Sequence, residues 1–126
     1  MNMPNPVGWF EIYVSDMDRA KAFYQNTFRT TLTRLESPDL EMWAFPMEME
    51  KERYGSAGAL ARMEGKDPGA GGSLIYFRCH DCAVEAARAL ENGGRIHAPK
   101  RSIGQYGFIA LVYDTEGNMI GLHSAP

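Results

Sequence analysis

Trp9, Glu11 and Tyr13 lie two residues apart within a run of β-branched and aromatic residues, Val7 to Val14. Alternation along a strand sends all three to one face and Phe10, Ile12 and Val14 to the other. A carboxylate among aromatic rings is a candidate for chemistry, because burying it is costly without a partner. Either Glu11 is paired, with Arg78 the candidate cation, or it is unpaired and available as a general base. Tyr76 and His123 are the residues that could serve it as acid. The same alternation puts Leu74, Tyr76 and Arg78 on one face of a strand over 74–79, with Ile75, Phe77 and Cys79 on the other. On a strand over 119–123 it groups Met119, Gly121 and His123.

Cys79-His80-Asp81-Cys82 is a C-x-x-C step between a strand and a helix, the place where a helix N-terminus can activate a thiol. Cys79 falls on the apolar face of its strand, and Asp81 sits between the two sulfurs, so both features oppose a thiolate. With no further cysteine pair the chain has no tetrahedral zinc set. The expectation is coincidence, with thiol redox function as the outlying alternative. His80 reads as a surface residue, and His97 as a candidate for a pocket wall.

The elements that position these groups repeat. Strand, acidic cap and Ala-rich helix run from Val7 to Phe28 and recur from Ser73 to Gly94. Ser15, Asp16 and Asp18 are the candidate caps of the first helix and Asp81 that of the second. The first helix presents Ala20, Phe23, Tyr24, Thr27 and Phe28 as its apolar stripe, the second Val84, Ala87 and Leu90, with Gly93 as a left-handed stop. Short strands follow each helix, at 30–35, 42–45 and 57–63, then at 95–98, 108–113 and 119–123. The chain therefore reads as one domain over 1–126, built of βαβββ modules at 7–64 and 73–126. The Gly-rich segment 65–72 lacks the Gly-Lys-Ser/Thr ending of a phosphate loop and reads as a linker. The charged connection 47–55 reads as a solvated loop, with a lid as its alternative.

In its 126 residues, thirteen Lys plus Arg stand against sixteen Asp plus Glu, a net charge of -3 with no long basic run. Nucleic acid is not an expected partner. No apolar run approaches the roughly 20 residues that a membrane helix needs. A cytoplasmic protein without membrane contact is the expectation, and two cysteines suit a reducing compartment.

The approach Val14-Ser15-Asp16-Met17-Asp18-Arg19-Ala20 and the closing turn Asp114-Thr115-Glu116-Gly117-Asn118, inside a doubled βαβββ pattern, resemble the vicinal oxygen chelate superfamily of glyoxalases, bleomycin resistance proteins and extradiol dioxygenases. Trp9-Phe10-Glu11-Ile12 looks most like small proteins related to lactoylglutathione lyase. The resemblance implies an α+β fold in which tandem modules form a curved, mixed sheet cup with helices outside and a ligand within. It also implies a homodimer as the expected assembly.

Metal-dependent members of that superfamily carry His or Glu on the first and last strands of each module. Carried onto this chain, those positions fall on Trp9, Leu74, Gly121 and Ala59 or Ala61, none of which is a ligand. The expectation is therefore no metal and no other cofactor. The function expected is binding or sequestration of a small organic molecule, with Trp9, Tyr13, Trp43, Phe45, Leu74, Arg78, Phe108 and Gly121 as lining. The alternative is a glyoxalase-related lyase or isomerase using Glu11, Tyr76 and His123, with or without a displaced divalent metal.

Overall fold

The computed structural model describes residues 4–48 and 55–126, which form two compact units: Trp9–Ser73, and the residues up to Gly8 together with Leu74–Pro126. Each unit builds its sheet from strands in a β-α-β-β-β sequence, and the α+β class expected from the repeat is the one observed. Residues 49–54 of the connection read as a loop or lid lie outside the described residues.

In the Trp9–Ser73 unit, β1 (Val7–Tyr13) leads into α1 (Met17–Phe28), followed by β2 (Thr33–Leu35), β3 (Glu41–Ala44) and β4 (Ala57–Arg62). The helix crossover leaves β1 parallel to β4, while β4, β3 and β2 pair antiparallel in turn. Asp16 caps α1 by accepting the Arg19 amide at 3.0 Å. The face that α1 buries is Met17, Ala20 and Tyr24, packed on Ile12, Val14, Leu32, Trp43, Phe45 and Leu60.

The expected α1 stripe is therefore rotated. Phe23 and Phe28 stand 59% and 64% exposed, because the helix begins at Met17 and this buried first residue sets its phase. Leu60, wholly buried beneath α1, is a residue whose truncation to Ala would cost about 2–5 kcal/mol. The glycine-rich segment is no loose tether: the Gly72 carbonyl accepts the Tyr13 amide at 2.7 Å, and the Gly72 amide closes a turn on Gly69.

In the other unit, β5 (Ser73–Cys79), α2 (Cys82–Glu91), β6 (Arg95–Ser102), β7 (Phe108–Tyr113) and β8 (Met119–Ser124) repeat the plan, with a 3-10 turn at Gly104–Tyr106 before β7. β5 runs parallel to β8, and β8, β7 and β6 are antiparallel. Asp81 accepts the Ala83 amide at 3.0 Å, and buried Ser124 takes the Cys82 amide on its hydroxyl at 3.2 Å, so two orphan donors at the start of α2 are met.

α2 packs through Cys82, Ala86 and Ala89 onto Cys79, Ala110, Val112 and Leu122. Its expected stripe is displaced: Val84 and Leu90 are exposed, because α2 turns its row of small side chains to the sheet instead. Ile75, expected under α2, is 45% exposed. β6 continues past Ala98 through Pro99 to Ser102. It can do so because it is an edge strand whose register shifts on both sides of Ala98 remove the need for a regular ladder. No helix among the described residues is long and apolar enough to cross a membrane.

Candidate functional site

Register fixes which residues share the sheet face opposite α1. Glu11 pairs with Ala59, and Ala59 with Ala44; Tyr13 pairs with Ala61, and Ala61 with Met42; Trp9 pairs with Ala57. The Trp9-Glu11-Tyr13 row therefore lies beside an alanine row, Ala57-Ala59-Ala61. Glu11 is 7% exposed, yet its partners are not arginines. The Tyr13 hydroxyl donates to Oε1 at 2.6 Å and the Trp9 indole N–H to Oε2 at 3.1 Å. The carboxylate is acceptor-only and each of its oxygens has capacity left. It is thus fixed in place by two protein donors and can still accept from a third.

The ion pair expected between Glu11 and an arginine is replaced by these neutral donors. Arg78 instead turns its guanidinium to the Asn5 carbonyl and runs over Gly8, where a side chain would meet its Cγ at 2.6 Å.

Trp43 and Phe45 are corrections to the expected lining. Trp43 pairs with Leu60, which pairs with Ile12, so it belongs to the α1 side, with the Lys21 ammonium 3.1 Å from its ring centroid. Phe45 packs on Phe10 and Tyr24 in the same layer. Phe108 is the third correction: it pairs with Ser124 and packs against the α2 cluster, with Lys100 over its ring.

The helix-free face of the second unit can be read strand by strand. Across β6, β7, β8 and β5 one row is Arg101, Ile109, His123 and Arg78, and the next is Ala98, Leu111, Gly121 and Tyr76. A further row contains Arg95, Tyr113 and Met119. Gly121 holds the Tyr76 ring, since a Cβ there would lie 2.2 Å from Tyr76 Cδ1. Leu74 and Tyr76 are both buried. The His123 ring is anchored by its Nε2, 2.6 Å from the Tyr106 carbonyl oxygen, and His97 meets Tyr113 edge-on. Glu11 belongs to one unit, and Tyr76 and His123 to the other. The sequence reading missed Arg95 and Arg101. Arg95 was legible as a strand residue, but Arg101 lies beyond the expected strand over 95–98, in the part of β6 that runs on to Ser102.

Two shallow concavities lie beside the helices, the first of them reaching Arg78. One, about 270 Å³, runs beside α2 and is lined by Pro6, Phe77, Cys79 and Glu85 among others; the second is at the start of α1, by Asp16, Glu41 and Arg62. Burial above all, and then the Glu85 carboxylate and Cys82, push the Cys79 thiol up to about 11. That is the reverse of what a redox cysteine needs. Glu41, accepting the Trp43 indole N–H at 3.0 Å and Arg62 at 3.4 Å, is held below the usual carboxylate range by that indole bond and then by the arginine.

The positions that the resemblance assigns to metal ligands carry Trp9, Leu74, Gly121 and Ala59 or Ala61, and none of these side chains is a donor to a metal. Glu11 lies on the same strand as the first of them, but a metal there would have to share or displace the Tyr13 and Trp9 donors. Among the described residues, no three His, Cys, Asp or Glu side chains gather as a metal set. These residues do not fit a metal centre.

A comparison with protein-family models matches residues 7–122 to the Glyoxalase/Bleomycin resistance protein/Dioxygenase superfamily. Among solved structures, a Streptomyces coelicolor methylmalonyl-CoA epimerase in complex with 2-nitronate-propionyl-CoA is similar at a TM-score of 0.71 and 18% identity, over 95% of this chain and 96% of that one. The Mycobacterium tuberculosis methylmalonyl-CoA epimerase is similar at 0.65 and 17% identity, over 100% and 93%. A hypothetical protein from Bacillus halodurans C-125 is similar at 0.70 and 13% identity, over 95% and 94%. At such identities the likeness establishes the fold. A search of curated proteins returned no match.

Proposed function

Because this chain belongs to the Glyoxalase/Bleomycin resistance protein/Dioxygenase superfamily, we propose that it holds a small organic molecule on the helix-free faces of its sheets, with Glu11 as a fixed acceptor and no resident metal. The observation that carries this reading is the buried Glu11 carboxylate, oriented by the Tyr13 and Trp9 donors and flanked by alanines. A rigid acceptor among apolar side chains is how a binding site orients a hydroxyl or amine of its ligand. The protein is cytoplasmic on this reading, needs no cofactor, and has neither nucleic acid nor membrane as partner. Exposed Phe23, edge-on to Tyr24, and exposed Phe28, stacked on it, support a homodimer.

The test is a small-molecule screen by thermal shift on chelator-treated protein, repeated on Trp9→Ala and Glu11→Gln. Hits that stabilise the wild type and lose most of their shift in both variants are expected. Hits indifferent to both changes would refute the assignment of the site.

An isomerase reading has separate support in the epimerases among the similar structures and in the hydrogen-bonded carboxylate itself. Glu11 would take the proton α to a carbonyl. Methylmalonyl-CoA in deuterated buffer, followed by proton NMR, should then lose its α-proton signal with wild type and keep it with Glu11→Gln. An unchanged signal with wild type would rule this substrate out.

A further inference from the structure

The charge on the helix-free face of the second unit is one-sided. The acidic residues of that unit are Asp81, Glu85, Glu91, Asp114 and Glu116. Asp81 is the cap of α2 and pairs with Lys100 at 2.9 Å. Glu85 and Glu91 lie on α2, Glu85 facing Arg88. Asp114 and Glu116 are in the turn between β7 and β8, where Asp114 is taken up by the Glu116 and Asn118 amides. None of them occupies a position in the rows of the helix-free face.

Arginines stand at both ends of this face. Arg101 and Arg78 are at the two ends of the row that runs through Ile109 and His123, and Arg95 lies over the Tyr113 ring at 4.5 Å in the far row. Between them Ala98, Leu111, Gly121 and Met119 supply apolar or minimal side chains, closed by the buried Tyr76 ring. Rows on one face of a sheet are separated by about 7 Å, so the apolar stretch from the Arg101 row to the Arg95 row, two rows on, is about 14 Å long.

From this arrangement we propose that the unit binds a small molecule with an apolar body and an anionic head, a carboxylate or a phosphate. Its head meets the Arg101 end of the face, and its body lies over Leu111 and Gly121. Arg101 is exposed, and no ion pair among the described residues includes it. A guanidinium matches either anion with two parallel N–H bonds. Arg78, bonded to the Asn5 carbonyl through one nitrogen, keeps further N–H groups. The Tyr106 carbonyl holds His123 in line with the row. The edge-strand register shifts around Ala98 re-aim Arg101 onto this face, a use to which bulges beside sites are commonly put.

This inference rests on the reading of the helix-free faces as ligand surfaces, and the experiment separates the two. Octanoate, octyl phosphate and octan-1-ol are titrated into the uniformly 15N-labelled full chain, with amide shifts followed by NMR. The expected result is that octanoate or octyl phosphate moves the amides of Arg101, Leu111, Gly121 and His123, and that octanol binds about tenfold more weakly, the equivalent of one charge-assisted contact. Arg101→Ala should lower the affinity for the anion about tenfold with octanol unaffected, and Arg101→Lys should recover part of the loss. If octanol moves the same amides with the affinity of the anions, the anionic head is wrong while the ligand surface stands. If the anions move none of these amides, both readings of this face fail. The two anionic probes identify the preferred head group by their relative affinities.

Discussion

Removing one partner at a time from the Trp9-Glu11-Tyr13 row should expose how the buried carboxylate is held. The Tyr13 bond is short, 2.6 Å, buried, and made to a charged acceptor, so Tyr13→Phe should destabilise the protein by about 1.5–3 kcal/mol. The Trp9 bond is longer at 3.1 Å and only part-buried, and its loss should cost about 1 kcal/mol beyond the change in ring packing. Glu11→Ala strands two donors at about 1–3 kcal/mol each, offset by release of a buried charge, for a net loss of about 2–3 kcal/mol.

Glu11→Gln is the sharper probe. Its amide oxygen can take the obligate donor, the Trp9 indole, while its NH2 faces the Tyr13 hydroxyl, which can turn and accept. That substitution should therefore cost about 1 kcal/mol. Adding Tyr13→Phe to it should cost only the 0.5–1.5 kcal/mol or so of a neutral bond, less than in the Glu11 background. Urea midpoints at unchanged m-value report these differences. Additive effects of Tyr13→Phe and Glu11→Gln, within about 0.3 kcal/mol, would show that the Tyr13 bond does not depend on the carboxylate, and the argument would fail.

Gly121→Ala puts a Cβ 2.2 Å from the Tyr76 ring and should cost about 1–3 kcal/mol; in a Tyr76→Ala background thermal melts should find most of that penalty gone, and an equal penalty there would refute the contact. Cys79, its thiol pushed up to about 11 by burial and by Glu85, should carry about a thousandth of its sulfur as thiolate at pH 8. Native protein should then resist iodoacetamide and denatured protein react, as mass spectrometry would read; rapid native alkylation at Cys79 would contradict this. The Asp114 carboxyl is held below the ordinary value of 3.8, first by the Asn118 side chain and then by backbone amides. A lowered carboxyl favours the folded turn above the ordinary aspartate value and loses that benefit as pH falls through the folded one. The Glu116 and Asn118 amide shifts should therefore hold steady through pH 3.8 and move only below it, while a midpoint at 3.8 would disprove the bonds.

What was legible in the sequence was the part governed by local rules. A short acceptor before an apolar helix marks a cap, so Asp81 was legible outright and Asp16 as one of Ser15, Asp16 and Asp18, and alternation separated Trp9, Glu11 and Tyr13 from Phe10, Ile12 and Val14. The misplaced residues were those whose face depends on a partner strand. Nothing in the neighbourhood of Trp43 says that it pairs with Leu60, nor does Phe108 announce its pairing with Ser124. Val84 and Leu90 look like a packing stripe, yet the smaller Cys82, Ala86 and Ala89 are the residues that face the sheet. Arg101 was hidden by Pro99, which ends a central strand but is tolerated on an edge. That Glu11 shares a face with Trp9 and Tyr13 was legible, but its partners were not: a neutral indole and phenol, two residues away on either side, bond it where an arginine was expected.

The central claim is that the metal positions of this superfamily are filled here by Trp9, Leu74, Gly121 and alanine, and that Glu11 is held by protein donors instead. Its most direct test is the divalent metal content of untagged protein, purified without chelator and measured by inductively coupled plasma mass spectrometry. The account predicts only traces. About one equivalent of zinc, nickel, manganese or iron, retained through dialysis and lost in a Glu11→Ala variant, would contradict it and make Glu11 a ligand.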